Sequence, residues 1–176
     1  MIFTPTPLSG AYVVDIEPHE DNRGFFARAW CQKEFEAKGL NTRIVQINIG
    51  YNKRRGTVRG MHFQLPPDAE VKAVRCVRGA VYDVILDLRA GSPTYKKWFG
   101  VELTESNHKL IYIPEGFAHG YQALRDDTET IYQNSAFYAP SSASGVRYND
   151  PAFQIKWPLP VEVLSEQDKK WPDFKD

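Results

Sequence analysis

Residues 80–89 read Ala-Val-Tyr-Asp-Val-Ile-Leu-Asp-Leu-Arg. Taken two apart, Tyr82, Val84, Leu86 and Leu88 share one face, and Val81, Asp83, Ile85 and Asp87 share the other. Successive side chains of an extended backbone point to opposite sides, so this is a strand whose second face mixes acids with apolar residues. Upstream, 70–78 reads as its hairpin partner, with Arg78-Gly79 as the turn. Further strand candidates cover 11–17, 23–30, 43–51, 57–64, 97–103, 108–113, 118–124 and 128–138. Short strands at this spacing, punctuated by Gly, Pro, Asn and Ser, predict an all-β sandwich or barrel. Helix is scarce: 31–39, closed by Gly39, and one turn capped by Ser165. A single domain over 1–176 is expected, with the barrel at about 11–139. A loop at 140–145 leads to a Pro- and Trp-rich arm at about 146–176 that wraps the core.

The chain has 176 residues with 22 basic and 22 acidic side chains, so its formal net charge is zero. That balance excludes bulk electrostatic adhesion to nucleic acid or to an anionic membrane, while leaving room for local patches. No apolar run approaches the ~18–20 residues of a membrane span. The opening Met-Ile-Phe-Thr-Pro-Thr-Pro lacks the basic and apolar regions of a signal peptide. Two cysteines, Cys31 and Cys76, are too few for a disulfide scaffold. A cytoplasmic protein with no nucleic-acid or membrane partner is expected.

Four histidines focus the search for chemistry. His19 and His108 lie in loop-like surroundings and read as surface residues. His62 sits in Arg59-Gly60-Met61-His62-Phe63-Gln64, where alternation groups it with Val58 and Gln64 and turns Arg59 away. His119 sits in Pro114-Glu115-Gly116-Phe117-Ala118-His119-Gly120-Tyr121, between glycines that clear space for a close approach. Either these two are hydrogen-bonded core residues, or they serve a site. A metal site needs more: open catalytic sites keep about three protein ligands, and Gln64 stands where a second ligand of the His62 strand is sought. No metal and no other cofactor is expected.

Lys72 alternates with Val74 and Cys76, so it reads either as an inward lysine requiring a partner such as Asp83 or as a protective edge residue. Tyr132, in Thr130-Ile131-Tyr132-Gln133, reads alone as strand packing. Together, an imidazole, an ammonium and a phenol inside one barrel offer a base, an oxyanion stabiliser and an acid. Arg23 and Arg59, each beside a glycine at a strand end, are phosphate candidates, and Arg28 joins them if the N-terminal strand folds over the same mouth. Lys53-Arg54-Arg55 reads as a solvated loop.

Several motifs carry a resemblance. They are Asp21-Asn-Arg23-Gly24-Phe-Phe, Gln46-Ile-Asn48, Arg59-Gly60-Met-His62-Phe-Gln64, Lys72, the run from Val81 to Arg89, and Gly91-Ser-Pro-Thr94. Ile113-Pro-Glu-Gly-Phe-Ala-His119-Gly120, Tyr132, Tyr138-Ala-Pro, Tyr148-Asn-Asp150, Trp157-Pro158 and Leu164-Ser165 with Asp168 continue it in the same order. Over about 12–168 the chain resembles the dTDP-4-dehydrorhamnose 3,5-epimerase family.

The resemblance implies a double-stranded β-helix, the cupin-type jelly roll, working as a homodimer without metal. Its substrate class is a nucleotide-diphosphate sugar, a 4-keto-6-deoxyhexose with exchangeable protons at carbons 3 and 5. It further implies His62 as base with Asp168 as its dyad partner, Lys72 as enolate stabiliser and Tyr132 as the acid of the opposite face. Tyr138 would stack near the sugar–base region. Arg23, Gln46, Asn48, Arg59 and His119 would bind the diphosphate and nucleotide. Arg28, Ile47, Ala143 and Gln167 depart from residues common in the family (Glu, Asp, Glu and Lys respectively), and these positions belong to nucleotide recognition. Nucleotide identity therefore stays open, as does epimerisation at carbon 3 alone. Outside the family, a metal-dependent cupin enzyme or a non-catalytic sugar-nucleotide binder are the alternatives.

Overall fold

The computed structural model describes residues 1–175. Its strands are β1 (Ile2–Pro5), β2 (Tyr12–Asp15), β3 (His19–Asp21), β4 (Gly24–Phe26), β5 (Gln46–Asn52), β6 (Val58–Gln64) and β7 (Lys72–Arg78). They continue with β8 (Ala80–Asp87), β9 (Trp98–Thr104), β10 (Leu110–Ile113), β11 (Phe117–Ala123), β12 (Thr128–Asn134) and β13 (Ala143–Gly145). Two short helices, α1 (Gln32–Glu36) and α2 (Glu166–Lys170), complete the described elements.

The decisive strand, β8, lies in a five-stranded sheet of order β13-β6-β11-β8-β9. A six-stranded sheet, β1-β2-β10-β7-β12-β5, packs against it, and every pairing in both sheets is antiparallel. The fold is the all-β, cupin-like jelly roll. The acids among the apolar residues of β8 have a structural explanation. Val81 and Ile85 enter the core between the sheets, together with Val74, Ile111, Leu103 and Phe117. Asp83 and Asp87 on the same face are fully buried and each is hydrogen-bonded. The opposite face, with Val84, Leu86, Tyr82 and Leu88, is covered by Val146, Phe153, Ile155, Trp157 and Phe174. Fully burying such an aliphatic side chain contributes roughly 1.5–3 kcal/mol, which accounts for a strand that is apolar on both faces.

Three expectations change. β7 and β8 are consecutive but do not form a hairpin: β7 pairs with β10 and β12, β8 with β9 and β11. Arg78-Gly79 carries the chain from one sheet to the other, and Gly79 adopts φ +74° with Thr128 packed against it. The strand expected at 23–30 shrinks to β4, which pairs only with β3 in an exposed hairpin apart from both sheets. β1, not anticipated, adds an edge to the larger sheet.

Candidate active site

The chain opposite Gly120 explains how the two histidines come together. β6 and β11 pair as His119↔His62 and then as Tyr121↔Arg59, so Gly60 and Met61 together oppose Gly120. This is a β-bulge, a device that re-aims side chains beside functional sites. It needs glycine on both strands. A Cβ on Gly60 would lie 2.5 Å from the Gly120 Cα, and one on Gly120 would lie 2.7 Å from the Arg59 carbonyl oxygen. The space cleared beside His119 is thus filled by β6 itself. The bulge sends Met61 outward beneath the arm and turns both Arg59 and His62 into one cavity. Strict alternation, which separated Arg59 from His62, is broken here.

α2 supplies the partner of His62. Ser165 caps it, its hydroxyl accepting the Asp168 N–H at 3.0 Å. The Asp168 carboxylate then stands 2.5 Å from His62 Nε2, across 106 residues of sequence, and Trp171 Nε1 donates to the same oxygen at 3.4 Å. Burial pushes the Asp168 carboxyl up, but His62, Ser165 and the Gly60 amide outweigh it and hold it below its ordinary value. An ionised aspartate here fixes the tautomer and orientation of His62, which remains open to the cavity.

The six-stranded sheet forms the facing wall. Lys72 projects from β7 beside Glu70, with Nζ 3.1 Å from the carboxylate and 3.4 Å from the His62 carbonyl oxygen. Asp83, considered above as its partner, is instead hydrogen-bonded to His119 Nε2 at 2.9 Å. Burial pushes the Asp83 carboxyl up, opposed by His119 and by the charge of Lys72. Tyr132 on β12 points into the same cavity with its phenol held well above its ordinary value, first by burial and then by Tyr121 beside it. It therefore stays a proton donor at neutral pH.

The cavity, about 770 Å³, gathers nine of the residues named from sequence: Gln46, Asn48, Arg59, His62, Lys72, His119, Tyr132, Tyr138 and Asp168. Ala143 and Gln167 also line it. Arg23 and Arg28 do not. Arg23 sits at the tip of the β3–β4 hairpin, paired with Asp21, and Arg28 is paired with Glu34; both are exposed. Ile47 faces away on the outer surface. Among the described residues no group of three or more His, Cys, Asp or Glu is placed to hold a metal ion.

Sequence reasoning missed Glu70, Asn134, Tyr121 and Trp171. Tyr132 and Asn134 are two apart on β12, as are His119 and Tyr121 on β11, so alternation could have found Asn134 and Tyr121; Glu70 stands two residues before Lys72, ahead of β7. Glu70 and Asn134 begin a polar chain along the wall. Asn134 donates to Glu70 at 2.7 Å, Asn48 to Asn134 at 3.3 Å, Gln46 to Asn48 at 3.0 Å, and the Tyr138 amide to Gln46 at 3.1 Å.

A jelly roll with an imidazole on one sheet, its carboxylate partner on α2 and a half-buried tyrosine on the facing sheet is equipped as an acid–base enzyme. Comparison with known proteins gives that class a family. The family model described as dTDP-4-dehydrorhamnose 3,5-epimerase matches residues 5–176. An enzyme of that name from Sinorhizobium fredii is 43% identical over 170 residues, which is 95% of this chain and 87% of the relative. The crystal structure of the Elizabethkingia anophelis dTDP-4-dehydrorhamnose 3,5-epimerase superposes with a TM-score of 0.96 at 38% identity, covering 99% of this chain and 96% of that one. The Bacillus anthracis counterpart, solved with TDP and PPi bound, gives 0.95 at 37% identity over 98% of this chain and 99% of its own. The chain belongs to the dTDP-4-dehydrorhamnose 3,5-epimerase family, and is an isomerase.

Proposed function

We propose that the chain inverts carbons 3 and 5 of dTDP-4-dehydro-6-deoxy-D-glucose to give dTDP-4-dehydro-L-rhamnose. The observation that carries this reading is one cavity with His62 on one sheet, held by Asp168 of α2, and the Tyr132 phenol on the other sheet. Both carbons flank the ketone at carbon 4. His62 removes a proton from one of them, and the electron pair moves onto the carbonyl oxygen as an enolate. The Lys72 ammonium and the His119 side of the pocket stabilise that charge, an effect worth ~2.7–4 kcal/mol for one well-placed donor. Tyr132 returns a proton to the carbon from the opposite face, the C–H bond forms, and the ketone is restored with inverted configuration. The sugar arrives already oxidised at carbon 4, so the chemistry is proton transfer alone.

Arg59 is placed for the diphosphate, and Tyr138 with Gln46 and Asn48 for the nucleoside. The bound TDP in the Bacillus anthracis relative supports a thymidine nucleotide. Running the reaction in deuterated water tests the whole reading: product labelled at carbons 3 and 5 is expected. Label at carbon 3 alone makes the chain a 3-epimerase, and unlabelled sugar refutes proton exchange altogether.

A homodimer accounts for the residues left outside the cavity. Ile47 and Ile49 on the edge strand β5 are 61% and 73% exposed, and Phe26 on the β3–β4 hairpin is 79% exposed. A second copy covering these surfaces would remove them from water and give Arg23 and Arg28 a substrate to meet in the partner's cavity. Cys31 and Cys76 are both free thiols, in keeping with work in the reducing cytoplasm.

A further inference from the structure

Tyr121 is a buried phenol that the reaction as written does not use. It is 1% exposed, extends to the cavity wall, and lies with its ring centroid 6.2 Å from that of Tyr132 and 6.4 Å from that of His119. Its hydroxyl is a node. Asn52 Nδ2 donates to it at 3.0 Å, it donates to Asn52 Oδ1 at 3.3 Å, and Thr130 Oγ1 stands 3.5 Å away. Asn52 is itself 1% exposed and receives Arg59 Nε at 2.8 Å on the same oxygen. β5 has been left bare at this point: a Cβ on Gly50 would lie 3.1 Å from the Tyr121 hydroxyl, 3.1 Å from Tyr132 Cε2 and 2.8 Å from Thr130 Oγ1. A hydroxyl, a catalytic ring and the side chain that fixes them are thus packed over one glycine.

We propose that Tyr121 is a positioning residue for Tyr132, its Asn52-anchored hydroxyl steadying the Tyr132 phenol as that group delivers its proton. The inference rests on the epimerase reading above. As Tyr132 O–H breaks, the enolate electron pair forms the new C–H bond, the carbonyl re-forms, and a phenolate is left until solvent reprotonates it. A buried phenolate is costly without a donor. Tyr121 can turn its O–H from Asn52 Oδ1 to that oxygen while still accepting from Asn52 Nδ2. At rest, burial and the neighbouring Tyr121 hold Tyr132 protonated, while Thr130, 3.5 Å from the Tyr121 hydroxyl, pulls the other way; the donation to the phenolate belongs to the turned Tyr121 O–H alone. Because Asn52 also holds Arg59, the guanidinium placed for the diphosphate and the donor that steadies Tyr132 share one anchor.

The test separates proton removal from proton return. In deuterated water, the recovered starting sugar reports exchange without inversion, and the product reports inversion. Tyr121→Phe deletes one oxygen and keeps the ring, so exchange persists while the ratio of exchanged starting sugar to inverted product rises by about tenfold, inside the ~10²–10⁴-fold that a general acid supplies. In a Tyr132→Phe background the same substitution changes the ratio no further, since residues acting through one another are not additive. Thr130→Val, which alters the same node from another side, shifts the ratio in the same direction and serves if Tyr121→Phe does not fold. An unchanged ratio in a folded variant, or a full extra effect on top of Tyr132→Phe, overturns the inference and leaves the epimerase reading intact. A wild-type protein that exchanges nothing overturns both.

Discussion

Asp87 and Asp168 show how two buried carboxylates serve different ends. Asp87 is fully buried and takes Arg89 Nη2 at 2.7 Å, Ser92 Oγ at 2.5 Å and Thr94 Oγ1 at 2.6 Å. Burial raises its pKa, but these donors win and bring it from 3.8 to about 2. A carboxyl held lower in the folded than in the unfolded chain stabilises the fold above the unfolded value and loses that contribution as pH falls through the folded one. Stability should therefore drop by about 2 kcal/mol between pH 3.8 and about 2, measured by urea unfolding at stepped pH. Asp87→Asn is expected to flatten that window and, by stranding Arg89, to lower stability at pH 7. Asp168 shares the sign but faces His62, so under the proposed mechanism acid is expected to cost turnover there. The motif Gly91-Ser-Pro-Thr94 was legible as part of a family pattern, whereas its physical purpose, locking Asp87, required the coordinates.

At the scale of elements, α2 is the most economical part of the site. It is five residues long and far too short to be stable alone. Its Ser165 cap and its packing on the barrel hold Asp168 in place. Replacing the cap, Ser165→Ala, should cost about 1 kcal/mol, felt by α2 and not by the sheets. The expected outcome is a thermal unfolding midpoint close to that of the wild type with a clearly reduced kcat, read in paired calorimetry and turnover assays. Equal losses in both would tie α2 to global stability. The cap was visible in the sequence because a Ser before an acidic turn has a local cause. The bulge at Gly60-Met61 was not, since it arises from close contact with Gly120 on a strand some sixty residues away. Likewise Arg78-Gly79 was readable as a turn, but which sheet each flanking strand joins is decided by partners far along the chain.

For the whole molecule, the proposed homodimer makes a sharp demand on Arg23. Mixing Arg23→Ala with His62→Ala under conditions of subunit exchange should regenerate turnover, because half of each mixed dimer then pairs an intact His62 with the intact Arg23 of its partner. No recovery would place Arg23 at work within its own subunit or outside catalysis. Ile49→Lys, on the exposed edge, should shift sedimentation toward the monomer. The all-β class was legible from period-two patterning, and the site from a family pattern spread along nearly the entire chain. Glu70 escaped because it sits ahead of β7, where no strand pattern points it at Lys72, and Tyr121 because it looks like ordinary strand packing until its neighbours are known.

The sheet order also sets how the protein comes into being. β12, carrying Tyr132, is joined to β5 and β7, while β6, carrying His62, is joined to β11 and β13. Neither wall can form from one contiguous stretch, and long loops must close before any pairing is rewarded. Folds so dominated by non-local pairing mature on a millisecond-to-second scale. Within each subunit the two walls of the cavity should therefore appear together during refolding, in a single kinetic phase, with turnover following once subunits pair.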